Sequence, residues 1–379
     1  MDNDITYDAA IIGGGLAGLA LSIQLSKKGY RVVLFEKEQY PFHKVCGEYI
    51  SMESWNFIES LGLPLGSMNL PIIKKLIVTA PNGNALDTAL PLGGFGISRY
   101  VLDYELKKIA ESCHVMVHEK CKVEEVHFDN GLFQLQTAKG NFTSKVCCGS
   151  FGKRSNLDIK WKRDFVLSRR SKLNNYIGVK YHIKADFPPD TIALHNFEHG
   201  YCGISRIEEG KYCLCYLTNA YNLSRNDHSI ALMEQNILFQ NEHLKKIFTN
   251  CERLFDAPVT ISQVSFNTKE QVYNHILLMG DAAGMITPLC GNGMSMALHS
   301  SKIAAGYVDD FLQGRINRQQ LEEKYTANWK KIFSKRVKTG MLIQAFFGKK
   351  WLTNLFVRCM KWMPGIARKI IATTHGVPF

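Results

Sequence analysis

Three glycines, Gly13, Gly15 and Gly18, follow directly on the short apolar run Ala9-Ala10-Ile11-Ile12, and a helical pattern opens behind them at Leu16 and Ala17. A second apolar run, Val32 to Phe35, ends on Glu36-Lys37. This spacing suits a dinucleotide. The first glycine permits a tight turn, the second lets a pyrophosphate approach the backbone, and the third lets helix and strand pack closely. Free N–H groups and the dipole at the helix N-terminus then stabilise the phosphate charge. Glu36 offers an acceptor to ribose hydroxyls and would repel a 2′-phosphate, which favours FAD or NAD over NADP.

A second constellation lies far along the chain: Ile276-Leu277-Leu278-Met279-Gly280-Asp281, then Pro288, then Gly291-Asn292-Gly293. Asp281 closes a strand and can accept from a polyol such as ribityl. Pro288 ends the turn. Gly291 and Gly293 open a helix whose N-terminal amides would face a ring carbonyl and stabilise negative charge on a reduced isoalloxazine. With the first constellation, this reads as two walls of one FAD site.

The elements that must position these walls alternate along the chain. The opening βαβ unit is followed by a Pro/Gly-bearing loop from Tyr40 to Gly47, a helical stretch from Ser51 to Leu61, and a strand end running into a helix across Gly96 to Leu106. Strands follow at Lys122 to Phe128, Leu132 to Thr137 and Phe142 to Cys148, the first two joined by Asp129-Asn130-Gly131, a hairpin turn because Asn-Gly tolerates positive φ. A β-rich stretch covers roughly 170 to 220, helical patterning returns from 228 to 248, and a long helix runs from Asn292 to about Leu312. The expected fold is α/β: a Rossmann-type FAD-binding domain (1–72, 96–165 and 270–315) interleaved with a β-rich substrate domain (73–95 and 166–269), then a C-terminal helical segment (316–379).

The 379 residues are 46% hydrophobic and 21% charged, enough for a large packed core. Eleven cysteines include no CxxC pair, and Cys213-x-Cys215 has no partner pair at zinc-finger spacing. Free thiols in a reducing cytosol are expected, and no structural metal. Asp2 and Asp4 stand where a secretory leader would be basic and then apolar, which points to a cytoplasmic chain. The net charge of +12 is a tail property: Lys331 to Phe379 holds ten Lys or Arg and no acid. No nucleic-acid motif accompanies it, so no nucleic-acid partner is expected.

Within that tail, residues 348 to 363 form an amphipathic pattern. Trp351, Leu355, Cys359 and Trp362 share one arc, flanked by Leu352, Phe356 and Met363, while Lys350, Asn354, Arg358 and Lys361 lie opposite. The apolar arc is expected to cover the substrate domain. The alternative is peripheral contact with an anionic membrane surface.

The order GxGxxG…Glu36, Gly96-x-x-Arg99-x-x-Leu102-Asp103-x-x-Leu106, then Gly280-Asp281-Ala282-Ala283…Pro288…Gly291-x-Gly293 resembles the para-hydroxybenzoate hydroxylase-type flavoproteins. Within them, Pro41-Phe42-His43-Lys44-Val45-Cys46-Gly47-Glu48 is most similar to the geranylgeranyl reductase family. The resemblance implies that Gly13, Gly15, Leu16, Ala17, Gly18, Glu36 and Lys37 hold the ADP half, with the backbone at Val123 near adenine. Arg99 would lie near the pyrophosphate or ribityl. Gly280 and Asp281 would hold the ribityl and pyrophosphate region, and Pro288 and Gly291 to Gly293 the flavin ring. Two departures stand out. Phe151 occupies the place of the acid in an Asp-Gly pair linked to nicotinamide use, and Tyr201 to Arg206 keeps only the tyrosine of an aromatic-rich substrate motif.

The implied activity is an FAD-dependent oxidoreductase, hydride from reduced flavin N5 reaching a carbon–carbon double bond of a lipophilic, isoprenoid- or polyketide-like substrate. The electron donor would be NAD(P)H or a redox protein. A monooxygenase acting on an aromatic or polyketide compound and a non-catalytic electron relay are the alternatives. Cys46 is the candidate catalytic side chain, with His43 and Lys44 expected to lower its pKa if they lie near it. Cys290 is read as packing.

Overall fold

The computed structural model describes residues 5–167, 175–264, 266–285, 291–346, 349–363, 365–366, 370–371, 373 and 376–379. Among these, the strands assemble into two sheets. The first is built on Thr6–Ile12, which pairs in parallel with Val32–Phe35 on one side and with Gly140–Gly149 on the other. Met116–His118 and Ile276–Leu278 extend it in parallel on its two flanks. The four residues Ala9 to Ile12 and the whole of Val32–Phe35 are buried, as parallel strands covered on both faces require. The predicted hairpin is present: Val123–Asp129 pairs antiparallel with Leu132–Thr137, and Asn130 and Gly131 both take positive φ, 49° and 82°.

Helices Leu16–Ser26 and Gly293–Leu312 pack together on this sheet. Their starts fall where the two glycine constellations end, so each glycine turn links a strand or loop to a helix N-terminus. Arg99–Ser112 joins them, its first turn capped by Ser98 Oγ, which accepts the Val101 N–H at 3.2 Å. Beyond these, the 29-residue helix Arg318–Phe346 lays Leu321, Tyr325, Trp329 and Phe333 into the same core. Their four-residue spacing keeps them on one helix face, and each is buried; full burial of such a side chain contributes about 1.5–3 kcal/mol. Tyr325 also donates to the Leu278 carbonyl at 2.6 Å, tying the tail to the strand that carries the second glycine constellation.

The second sheet runs in the order Glu252–Arg253, Tyr176–Lys184, Tyr212–Asn219, Gly200–Arg206, Thr191–Phe197, Ile72–Thr79, Ala85–Gly96, Tyr49–Ser51, with Val259–Val264 also paired to Tyr176–Lys184. It is antiparallel except where Thr191–Phe197 meets Ile72–Thr79. The chain therefore leaves and re-enters the first sheet more than once, as the alternating sequence pattern implies. Among the described residues, no helix is long and apolar enough to cross a membrane.

Candidate active site

A cavity of about 1170 Å³ is lined from both sheets and from the C-terminal helix Lys350–Trp362. Gly13, Gly15, Leu16, Ala17, Glu36, Lys37, Arg99 and Val123 line it, and so do Cys46, Gly280, Asp281, Gly291 and Gly293. Residues from segments far apart in sequence thus share one wall. Gly18 and Asn292 are buried outside that lining, and Pro288 and Cys290 lie outside the described residues.

The glycine turn has little room for side chains. Gly13 has φ +104°, and a Cβ on it would meet the Ser150 carbonyl oxygen at 2.6 Å. A Cβ on Gly18 would meet the Gly13 carbonyl oxygen at 2.1 Å, so the third glycine serves strand–helix packing rather than the cavity wall. Glu36 is buried and accepts the Gly14 N–H at 2.9 Å and the Glu38 N–H at 3.0 Å. A carboxylate has about four lone-pair sites, so these bonds orient it and leave capacity for two hydroxyls. Arg99 forms a two-pronged pair with Asp103, both contacts 2.7 Å, and Lys44 reaches the same carboxylate at 2.9 Å. Burial opposes the Arg99 charge, but Asp103 outweighs it and holds the guanidinium above its ordinary range. Two cations on one acid give the Arg99–Lys44–Asp103 cluster one uncompensated positive charge, which suits a pyrophosphate.

On the second wall, Asp281 is half-buried, and desolvation pushes its carboxyl above the ordinary value although Lys269, Arg99 and Lys153 pull the other way. Lys153 lines the cavity, and burial brings its ammonium down to about 8. Lys269, behind it, is likewise brought to about 8 by burial and donates to the carbonyls of Lys153 (2.6 Å) and Asp281 (2.7 Å). Fully buried Arg163 holds Asp158 and Glu270, each at 2.8 Å, and donates to the Ala282 carbonyl at 3.2 Å, bracing the turn after Asp281. Sequence reading missed Lys153, Lys269 and Arg163. No local motif marks them, because their partners lie about a hundred residues away or on other elements.

Cys46 faces the cavity as expected, but its environment corrects the expected chemistry. Burial pushes the thiol above its ordinary value, only partly offset by Arg99. Lys44 turns to Asp103 instead, and His43 is brought down to about 4 by burial and by the charges of Lys180 and His182, so it is neutral at pH 7. Cys46 is a protonated thiol. The adjacent Glu48 is fully buried and was not assigned a role from sequence. It accepts from Lys180 Nζ, from the Arg99 N–H at 2.8 Å and from His182 Nε2 at 2.6 Å. Lys180 also donates to the Lys44 carbonyl at 3.1 Å, strapping the loop to the second sheet. Glu48, His182 and Cys213 place three metal-type ligand atoms within 4.8 Å of one another. The Lys180 ammonium already compensates Glu48, and burial raises the Cys213 thiol well above its ordinary value, so this cluster is built as a strap rather than a cation site.

Much of the remaining lining is apolar, with Leu76, Val78, Leu194, Leu217, Val357 and Met360 beside polar residues such as Ser205, Thr260 and Gln263. Val357 and Met360 lie on the C-terminal helix, whose burial corrects the sequence expectation. Its buried residues are Thr353, Val357 and Met360, whereas Trp351, Leu355 and Trp362, expected to cover the core, are exposed.

Comparison with known proteins accords with this geometry. A model of an NAD(P)-binding Rossmann-like domain matches residues 11–45. The chain is 24% identical over 392 residues to conditioned medium factor receptor 1 of Dictyostelium discoideum, covering 91% of this chain and 71% of that one. It is 24% identical over 348 residues to digeranylgeranylglycerophospholipid reductase of Methanococcus vannielii, covering 86% and 82%. The solved structure of flavin-dependent brominase Bmp2 superposes with a TM-score of 0.78 at 22% identity, over 98% of this chain and 93% of that one. The fold is that of the FAD-dependent flavoproteins, and the expected likeness to geranylgeranyl reductases extends over most of the chain.

The cavity fits FAD. Its volume exceeds the roughly 300–1,000 Å³ of ordinary ligand pockets, enough for a dinucleotide and a second molecule. Tyr49 lines it beside Gly291, and its buried Oη has no hydrogen-bond partner among the described residues, as expected of a group that completes its bonding with a ligand.

Proposed function

We propose that this protein is an FAD-dependent oxidoreductase that reduces, or in reverse dehydrogenates, a carbon–carbon double bond of a lipophilic isoprenoid- or polyketide-like substrate. The observation that carries this reading is a cavity whose lining joins the glycines and charged groups of both constellations to many apolar side chains. Gly13 to Ala17, Glu36 and Arg99 hold the adenosine diphosphate part, and the hairpin backbone at Val123 borders the adenine. Asp281, Lys153, Tyr49, Gly291 and Gly293 hold the ribityl and ring. FAD, when bound there, supplies two-electron redox chemistry, with electrons from NAD(P)H or a redox protein. Cys46 holds a proton at Sγ on the cavity wall, and Leu76, Leu194, Leu217 and Val357 orient the substrate and exclude water. The interleaved chain divides accordingly into a nucleotide-binding part and a substrate part.

The likeness to a flavin-dependent brominase supports a second reading, an oxygen-using enzyme that modifies an aromatic or polyketide compound. One experiment separates the two. The purified protein is reduced under anaerobic conditions and mixed with an isoprenoid or polyketide alkene, and flavin absorbance near 450 nm is followed. Return of the absorbance without oxygen supports the reductase; return only after oxygen is admitted supports the second reading. A protein that takes up no FAD overturns both.

A further inference from the structure

The helix Lys350–Trp362 is two-sided, and the side richest in large apolar groups faces water. Trp351 is 65% exposed, Leu355 51% and Trp362 77%, and Met363 and Ile366 carry exposed apolar surface just beyond them. At helical spacing Trp351, Leu355 and Trp362 form one ridge opposite the buried Thr353, Val357 and Met360. Single exposed leucines are ordinary on protein surfaces, but a contiguous ridge with two tryptophans marks an interaction site. Lys350, Arg358 and Lys361, expected opposite the tryptophans, are exposed on the flank of the ridge instead, because the opposite arc is the buried one; Lys349 is exposed just before the helix. No acid occurs from Lys331 to Phe379, so the tail has no means of neutralising these cations itself.

We propose that this helix docks the protein on an anionic lipid surface, with Trp351, Leu355 and Trp362 seated at the boundary between headgroups and acyl chains. Lys350, Arg358 and Lys361 then meet headgroup phosphates. A convex aromatic ridge needs no complementary groove in a bilayer, tryptophan favours the membrane interface, and basic residues on the same helix add electrostatic attraction. A second copy of the chain is a poorer occupant, since it would press one basic ridge against another. The inner face of the same helix supplies Phe356, Val357 and Met360 to the cavity wall. Docking therefore leaves only the thickness of one helix, about 10–12 Å, between lipid and cavity. That is a short route for a lipophilic substrate. The docking itself is independent of which reaction the cavity supports.

The test is co-sedimentation of the full-length protein with vesicles of mixed phosphatidylglycerol and phosphatidylcholine, and with vesicles of phosphatidylcholine alone. Binding to the mixed vesicles is expected, weakening as salt is raised. Trp351→Ser with Trp362→Ser should weaken it by about tenfold or more, because the inserting groups are gone. Lys350→Glu, Arg358→Glu and Lys361→Glu together should abolish the preference for anionic lipid. Both variants should keep the wild-type circular dichroism and flavin absorbance, since the altered side chains are exposed. Absence of binding to either vesicle overturns the proposal, as does undiminished binding by the tryptophan variant. So does conversion of a dimer to a monomer by those substitutions, which would make the ridge a contact between copies.

Discussion

The two halves of the cavity are built in opposite ways. The polar half comes from short segments at strand ends: Gly13 and Gly15 to Ala17, Glu36 and Lys37, and Gly280 and Asp281. Backbone amides and a few carboxylates do its work, and each segment carries a spacing that only a few geometries satisfy. The apolar half comes from single side chains on many strands and a helix, such as Leu76, Leu194, Leu217 and Val357, none within a recognisable motif. Recognition of a charged, invariant cofactor demands particular atoms in particular places. Accommodation of an apolar substrate demands shape, which many sequences supply.

The Glu48–Lys180 strap ties the loop that carries Cys46 to the second sheet, and breaking it should have the largest effect. Lys180→Met leaves Glu48 buried without its ammonium partner and should cost about 3–5 kcal/mol, read as a lowered urea midpoint. Burial resists the Glu48 charge, but His182 and Lys180 outweigh it and lower its pKa; burial likewise resists the Lys180 charge, but Glu48 outweighs it and raises its pKa. The stabilisation is therefore full between the ordinary values of 4.5 and 10.5. It is lost as acid protonates Glu48 below that window or base neutralises Lys180 above it. A variant with the wild-type midpoint at neutral pH would show that the two halves do not depend on this pair.

A smaller effect separates the halves directly. Glu36→Ala removes a charged acceptor in the polar half and should weaken FAD retention about ten- to a hundredfold, a loss of about 1.5–3 kcal/mol. Leu194→Ser, in the apolar half, should leave FAD retention unchanged while weakening binding of the alkene used in the reoxidation experiment. Equal loss of FAD in both variants, measured by equilibrium dialysis, would erase the distinction between the halves.

The smallest expected effect is a pH dependence within the polar half. Lys153 is brought down to about 8 by burial, so its charge is present below that pH and lost above it. Affinity for the anionic FAD should fall as pH rises through about 8, by no more than roughly tenfold per unit for one proton. Lys153→Met should flatten the profile. An unchanged profile would assign the titration to Lys269, whose ammonium is brought to the same value.

How much of this was legible in the sequence follows from the same contrast. The strands at 6–12, 32–35 and 276–278, the Asn130-Gly131 turn and the long helix from Gly293 were readable because periodicity and turn chemistry are local. That the loop bearing Cys46 reaches the site was expected from motif order, and Cys46 lines the same cavity as the glycine turns. The state of its thiol was not readable. Lys44 is two residues away in sequence, yet in space it serves Asp103, and burial decides the proton. Lys180, His182, Arg163 and Lys269 left no sequence trace because each acts on a partner from a distant segment.

By itself the amino-acid sequence determined the dinucleotide turn, the acid that closes the following strand, the second glycine constellation and the amphipathic character of residues 350–362. These rest on near-neighbour spacing, which the chain carries whatever it packs against. Only the tertiary structure decided which face of that helix is covered, because burial is a competition among all surfaces of the chain. Val357 and Met360 fit the cavity wall, Thr353 is buried on the same side, and the tryptophans face outward.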